Sequence, residues 1–301
     1  MRNLNIFTFF LFLASANGFA QTSTLKAQIQ EVIKGKRATV GISIIANSFK
    51  DTININADVH LPMQSVYKFP ISLALLKEIE KGKFLLQQKI VVTKKDLLSD
   101  TWSPIREKYP TGREMSIAEI MEYAVSQSDN NGCDILLRLI GGTAQVENFL
   151  KQNQLNNISV KTTEEQAQKD WSLQFKNWST AAALTHLLTR SYENKDNKLL
   201  SNANYKFIWK VMEQTTTGSK RIKGQLPVNT VVGHKTGTSG IKAGITAATN
   251  DIGVIKLPDG GLIFISVLVS GSLESEQINE KIISDISRLA YEHYTNKGLK
   301  E

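Results

Sequence analysis

The sequence predicts an α+β fold of the α/β-sandwich type: an antiparallel sheet formed from both termini, with flanking helices and an inserted all-helical lobe. Three observations predict it. β-branched and apolar runs cluster near both ends of the 301-residue chain. The long segment between them repeats its apolar residues at helical spacing. One amphipathic helix precedes the first strands and another follows the last, so each has a sheet face to cover.

Residues 1–20 read as an export signal. Arg2 supplies the positive start, Ile6 to Leu13 the apolar stretch, and Gly18-Phe19-Ala20 a small-x-small cleavage site. The apolar stretch is too short to span a bilayer. Removing these residues, whose single charge is Arg2, leaves 281 residues and a net charge of +7 in place of +8. Leu25, Ile29, Val32 and Ile33 then mark a helix that Gly35 ends. Thr39 to Ala46 is a strand, and Thr52 to Asn56 can pair with it. A helix over Val66 to Lys81 carries Phe69, Leu73, Leu76 and Ile79 on one stripe, with Pro70 in its first turns. Ser116 and Glu119 make a capping box. Ile135 to Ile140 is helical up to Gly141-Gly142, and Thr143 opens the next helix. Residues 156–178 lack period and read as a long loop, a length that is usually functional. Ala181 to Tyr192 and Tyr205 to Met212 are helical. Val228 to Lys235, Ala243 to Asp251 and Leu262 to Ser270 are strands, with a turn at Leu257 to Gly261. Ile278, Ile282, Ile286 and Leu289 make the last helix. The expected domains are 21–57 with 213–301 as the α/β lobe and 58–212 as the helical lobe, with the functional site between them.

Composition excludes several classes. Charge is dispersed, with no block of five or six like charges, which argues against a nucleic-acid arm. Cys133 is the one cysteine, so no disulfide framework supports the fold. His60, His186, His234 and His293 share no metal-ligand spacing. No cofactor motif is present, and none is expected. His234, beside Lys235, reads as a strand residue at the site edge.

Three motifs carry chemistry. Ser65-Val66-Tyr67-Lys68 puts a hydroxyl at a helix start and an amine one turn later on the same face, where the amine can help to activate the nucleophile. Ser128-Asp129-Asn130 falls between helices. Lys235-Thr236-Gly237-Thr238-Ser239-Gly240 ends a strand, with Gly237 allowing close backbone approach and Lys235 offering charge to a carboxylate. Each has an ordinary alternative: a capped helix with a solvated lysine, a polar turn, a strand exit. In one order along one chain the three are the known signature of class A β-lactamases and penicillin-binding proteins.

The chain resembles a class A serine β-lactamase over almost its whole mature length. Trp102-Ser103-Pro104, Leu139 to Gly142 and Thr216-Thr217-Gly218 also resemble family stretches, and within the family the extended-spectrum branch with an unusual Ω-loop is the nearest likeness. The resemblance implies a periplasmic, monomeric hydrolase of penicillins and cephalosporins that confers antibiotic resistance. It implies catalytic roles for Ser65, Lys68, Ser128 and Glu164, and substrate contacts from Trp102, Asn130, Gln168, Arg221, Lys235, Thr236, Gly237, Thr238 and Ser239. The acylation base, Lys68 or Glu164, stays open. Glu165 rivals Glu164 by composition. Three departures stand out. Gln168 occupies a position where the family commonly has Asn. Thr162 and Asn177 replace an Arg–Asp pair that ties the loop. Gly244 replaces a late arginine, whose charge Arg221 can supply unless it is merely a solvated side chain. Two other activities fit the three motifs: a penicillin-binding D-Ala-D-Ala peptidase and a non-catalytic β-lactam-binding sensor.

Overall fold

The computed structural model describes residues 24–46, 51–194 and 199–298; the expected signal segment lies outside them. Helix α1 (24–33) buries Leu25 and Ile29. Strands β1 (Thr39–Ala46) and β2 (Asp51–Ile55) form the expected antiparallel hairpin. β3 (Leu61–Pro62) leads to a 3-10 turn over Gln64–Tyr67 that continues as α2 (Lys68–Glu80). The expected helix over 66–81 therefore opens in a tighter turn, and Ser65 lies within that turn. Instead of one apolar stripe, α2 buries every residue from Lys68 to Leu76. Helices α4, α5, α6 and α9 pack around it, so no face of that stretch is left for water.

The helical middle contains a hairpin that the periodicity did not suggest, β4 (Lys89–Thr93) with β5 (Gly112–Ser116), which flanks α3 (Pro104–Lys108). Its signal is the β-branched run Ile90-Val91-Val92-Thr93. Helices α4 (Ile117–Ser126), α5 (Asn130–Ile140) and α6 (Thr143–Gln152) follow. Ser116 caps α4, its hydroxyl accepting from the Glu119 N–H at 3.1 Å. Only half of the box forms, because the Glu119 carboxylate turns to Arg113. The expected structureless loop over 156–178 is instead built of short elements: β6 (Ile158–Ser159), α7 (Glu164–Lys169), a 3-10 segment Trp171–Lys176 and β7 (Trp178–Ser179). They are too short to show a period. Helices α8 (Ala181–Glu193) and α9 (Asn202–Glu213) complete this part of the chain.

The tail supplies β8 (Val232–Thr238), β9 (Ile241–Lys242), β10 (Ile245–Lys256), β11 (Leu262–Ser272) and α10 (Glu276–Gly298). β8 starts later than the apolar run suggests. Residues 227–230 close a turn, with the Thr230 N–H donating to the Pro227 carbonyl at 2.9 Å, and Val228 is fully exposed. The sheet runs β2–β1–β11–β10–β8, antiparallel throughout, with β9 added on β10. N-terminal and C-terminal strands thus share one sheet, as expected. Strand alternation divides its two faces. Ile263, Ile265, Val267 and Val269 pack with α1 and α10, while Phe264 and Leu268 join the helical core.

One side chain fixes the sheet to the segment that leads into Ser65. Asn250, fully buried on β10, donates through Nδ2 to the Pro62 carbonyl at 2.8 Å and the Met63 carbonyl at 3.1 Å. Next to it Gly237 on β8 passes so close that a Cβ would lie 2.3 Å from the Met63 carbonyl oxygen. Backbone cannot yield as a side chain does, so Gly237→Ala should cost on the order of 1–3 kcal/mol. The urea midpoint should fall; an unchanged midpoint would show that β8 can withdraw freely.

Candidate active site

The buried end of α2 collects the first two motifs around one nitrogen. Lys68 is 1% exposed, and its Nζ donates to Ser65 Oγ at 2.8 Å, to the Ser128 carbonyl at 3.0 Å and to Asn130 Oδ1 at 2.5 Å. Glu164 Oε1 approaches the same nitrogen to 2.8 Å. An ammonium has three protons, and the three acceptors use them. Glu164 is therefore paired by charge, and its Oε1, buried, has no hydrogen bond among the described residues. Glu165 points the other way, with its side chain 41% exposed and paired to Lys169 at 2.7 Å. Of the two, Glu164 is the carboxylate beside Lys68.

Ser128 holds φ at 60°, a left-handed conformation that costs a non-glycine residue energy. The strain aims two groups at once: its carbonyl at Lys68, and its hydroxyl at Lys235 Nζ, 3.0 Å away. Asp129 locks the turn. Its carboxylate accepts from the Gly132 and Ile105 N–H groups, each at 2.7 Å, and from the Ser103 hydroxyl. Burial nonetheless raises its pKa, because those bonds do not fully replace water. The Asn130 N–H donates to the Trp102 carbonyl at 3.0 Å, and the Trp102 indole N–H to the Gln127 carbonyl at 2.9 Å, leaving that ring exposed at the cleft edge.

Strand β8 forms the opposite wall. Lys235 is fully buried, and burial, followed by repulsion from Lys68, pushes its pKa well below the ordinary lysine value. Thr236 Oγ1 meets Thr217 Oγ1 at 2.6 Å. The Ser239 hydroxyl is used within the strand pair, accepting from the Ala248 N–H at 2.9 Å. His234 is not at the site edge. Strand alternation turns it to the face opposite Lys235, where it pairs with buried Asp251 at 3.0 Å.

Arg221 is no solvated side chain. It is 4% exposed, and its Nη2 donates to Thr238 Oγ1 at 2.8 Å. Its Nη1 donates to the Gly237 carbonyl at 3.2 Å and the Asn250 carbonyl at 3.1 Å, and Glu280 balances its charge. Holding the Gly237 carbonyl inward turns the Thr238 N–H of the same peptide plane the other way.

The Ω-loop is tied although the Arg–Asp pair is absent. Asn177 Oδ1 accepts from the Lys161 and Thr162 N–H groups at 2.7 and 3.0 Å, and Nδ2 donates to the Thr162 carbonyl at 2.9 Å. A second tie comes from Asp134 on α5. Its two carboxylate oxygens accept from the Glu164 and Glu165 N–H groups at 2.9 and 2.8 Å, satisfying the open N-terminus of α7. Burial raises the Asp134 pKa to about 6; the two backbone bonds oppose that rise and the Glu164 charge adds to it. Gln168, one turn beyond Glu164, is exposed.

Sequence reasoning did not single out Asp134, Asn250 or Tyr67. The Tyr67 hydroxyl is buried beside Glu164; burial first, then the charge of Glu164, raises its pKa. Spacing gives no signal for any of the three, because each acts across elements distant in sequence. Cys133 is buried, and burial raises its thiol pKa, so it is the inert apolar residue expected. No cluster of three metal-ligating side chains occurs among the described residues. No described helix is long and apolar enough to cross a membrane.

Comparison with known proteins agrees with this geometry. The profile of the beta-lactamase enzyme family matches residues 24–294. The chain is 55% identical to beta-lactamase VEB-1 of Pseudomonas aeruginosa, covering 95% of this chain and 96% of that one. It is 39% identical to the extended-spectrum beta-lactamase PER-1 of the same organism, over 92% of this chain and 90% of that one. Among solved structures, the TLA-1 extended-spectrum beta-lactamase superposes with a TM-score of 0.88 at 45% identity, covering 91% and 99% of the two chains. A class A beta-lactamase from Bacteroides cellulosilyticus DSM 14838 superposes with a TM-score of 0.87 at 35% identity, covering 92% and 99%. With the family matched over nearly all the described chain, this protein belongs to the β-lactamase enzyme family and is a class A serine β-lactamase, a hydrolase of β-lactams.

Proposed function

We propose that Ser65 is the nucleophile and Glu164 the deacylating base, in a cleft between the 58–212 lobe and the 21–57 with 213–301 lobe. The observation that carries this reading is the single Lys68 ammonium touching both Ser65 Oγ and Glu164 Oε1 at 2.8 Å. Ser65 Oγ bonds to the lactam carbonyl carbon while its proton passes either to Glu164 or to a Lys68 amine that has first handed a proton to Glu164, 2.8 Å away. The ring C–N bond then breaks, and Ser128, linked to Lys235, returns a proton to the nitrogen. Glu164 next takes a proton from water, which attacks the acyl ester and releases Ser65. The N–H groups of Ser65 and Thr238 hold the developing oxyanion. Thr236, Thr238 and Lys235 face the substrate carboxylate, with Arg221 acting through Thr238. Trp102, Asn130, Gly237, Ser239 and Gln168 line the remaining contacts. The substrate range extends to oxyimino-cephalosporins, a reading that the similarity to the extended-spectrum β-lactamases PER-1 and TLA-1 supports. The enzyme works as an exported periplasmic monomer without a cofactor.

Three outcomes test this reading. Ser65→Ala should lose several orders of magnitude in kcat on a chromogenic cephalosporin. Glu164→Ala should acylate and stall, with mass spectrometry showing a lasting penicilloyl adduct. A stall in Glu165→Ala instead would displace Glu164 from the role.

Arg221→Ala should lower kcat/KM for carboxylate-bearing substrates by about tenfold or more, as for loss of a charged hydrogen bond of about 1.5–3 kcal/mol. KM should carry most of the change, and an unchanged kcat/KM would remove Arg221 from recognition.

Asp134 predicts a pH effect. Its folded pKa, about 6, stands above the ordinary value of 3.8. Folding thus favours its protonated form, and that contribution to stability is present below about pH 4 and lost as pH rises through about 6. The loop tie runs in the opposite sense, because protonation removes acceptor capacity from the α7 N–H groups. Deacylation, measured by stopped flow, should therefore fall as pH drops through about 6. Asp134→Asn should move that acid limb to lower pH. A limb unmoved in the variant would remove Asp134 from the acid dependence.

A further inference from the structure

The small residues at the end of β8 suggest open space beside Ser239-Gly240, but the structure fills it with an aromatic ring. Trp171, the first residue of the 3-10 segment after α7, faces Gly240 so that a Cβ there would lie 3.4 Å from Cζ3 and 3.7 Å from Cη2 of the indole. The Lys242 ammonium on β9 lies 5.9 Å from the ring centroid. The Trp171 backbone is firmly held: its carbonyl accepts from Gln174 Nε2 at 2.8 Å, and Gln174 Oε1 accepts from Gln64 Nε2 at 2.5 Å. Gln64 adjoins the nucleophile. The ring's Gly240 side offers no side chain, and a cation–π contact at this distance on an exposed lysine is worth about 0.5–1 kcal/mol. A rigid stem therefore carries a ring that spans the gap between the Glu164 loop and the β8–β9 edge.

We propose that Trp171 is a specificity-determining residue: its indole is the wall that sets the width of the gap receiving the acyl side chain of the β-lactam. This rests on the assignment of Ser65 and Glu164 as the reacting groups. A wall and a simple brace have different consequences. Losing a brace lets the Glu164 loop drift and slows deacylation of every substrate. Losing a wall changes the ranking of substrates by side-chain bulk and leaves small ones alone.

The experiment uses the full mature chain with Trp171→Ala and Trp171→Phe, measuring kcat and KM separately for benzylpenicillin and cefotaxime. In Trp171→Ala the cefotaxime-to-benzylpenicillin ratio of kcat/KM should rise at least about tenfold, the size of effect a pocket wall can impose. The gain should lie mostly in cefotaxime KM, with benzylpenicillin kcat within about threefold of the parent. Trp171→Phe should fall between, and Gly240→Ala, whose methyl meets the ring at ordinary contact distance, should leave the ratio unchanged. A smaller rise, or a parallel loss on both substrates, overturns the proposal. If Trp171→Ala does not fold, Trp171→Leu carries the same comparison by the same criterion. Failure of the parent enzyme to hydrolyse benzylpenicillin would instead count against the Ser65 and Glu164 assignment.

Discussion

One buried ammonium organises this protein. Lys68 lies buried at the start of α2, and a lone charge there would cost several kcal/mol. Four groups offset the cost: Ser65, Ser128, Asn130 and Glu164. Each comes from a different part of the chain except Ser128 and Asn130, which share one turn. The surrounding architecture can be understood as what holds those groups in place. The strained φ of Ser128 is maintained by the Asp129 carboxylate, and α7 by Asp134. The tight turn carrying Ser65 is pinned to the sheet through Asn250. With more acceptors than protons around Nζ, Glu164 keeps an oxygen free to take a proton from elsewhere.

Family membership separates the three activities that the motifs alone allowed. A peptidase and a sensor share the serine, the lysine and the Lys-Thr-Gly strand. The distinguishing feature of the geometry is the Glu164 carboxylate beside Lys68, delivered by a loop that two independent ties hold. That loop also shows how one function can be met by different chemistry. The residues Thr162 and Asn177 cannot form an ion pair, yet the Asn177 amide makes three hydrogen bonds to backbone across the loop's neck. A neutral tie avoids the desolvation that a buried ion pair must overcome.

Much of the fold was legible where local pattern decides. The β1–β2 hairpin, the terminal strands and the flanking helices follow period 2 and period 3.6, which fixed geometry imposes. Pattern gave less where partners override it. α2 has no stripe because it is surrounded, and α7 is too short for a period to register. The strand-side residues show the same divide. Lys235 was readable from its motif, whereas the inward turn of His234 needed the strand's phase, and the burial of Arg221 needed Glu280, 59 residues away. Asp134 illustrates the limit most clearly, since nothing in its local sequence says that two N–H groups from residues 164 and 165 will meet it.

Strand β8 is the end of the sheet's order, and its outer edge is where the proposed oxyanion N–H of Thr238 points. An unpaired edge is elsewhere a hazard, because its free N–H and C=O groups can template another chain. Here the segment carrying Ser65 and the Ser128 turn pack against β8, with Lys235 donating to Ser128 Oγ at 3.0 Å. A bicyclic β-lactam carries an amide and a carboxylate at about the spacing of a short peptide, so it can dock as β-augmentation does, by main-chain bonds. The same exposed backbone that would make a bare sheet sticky is, in the proposed function, a recognition surface.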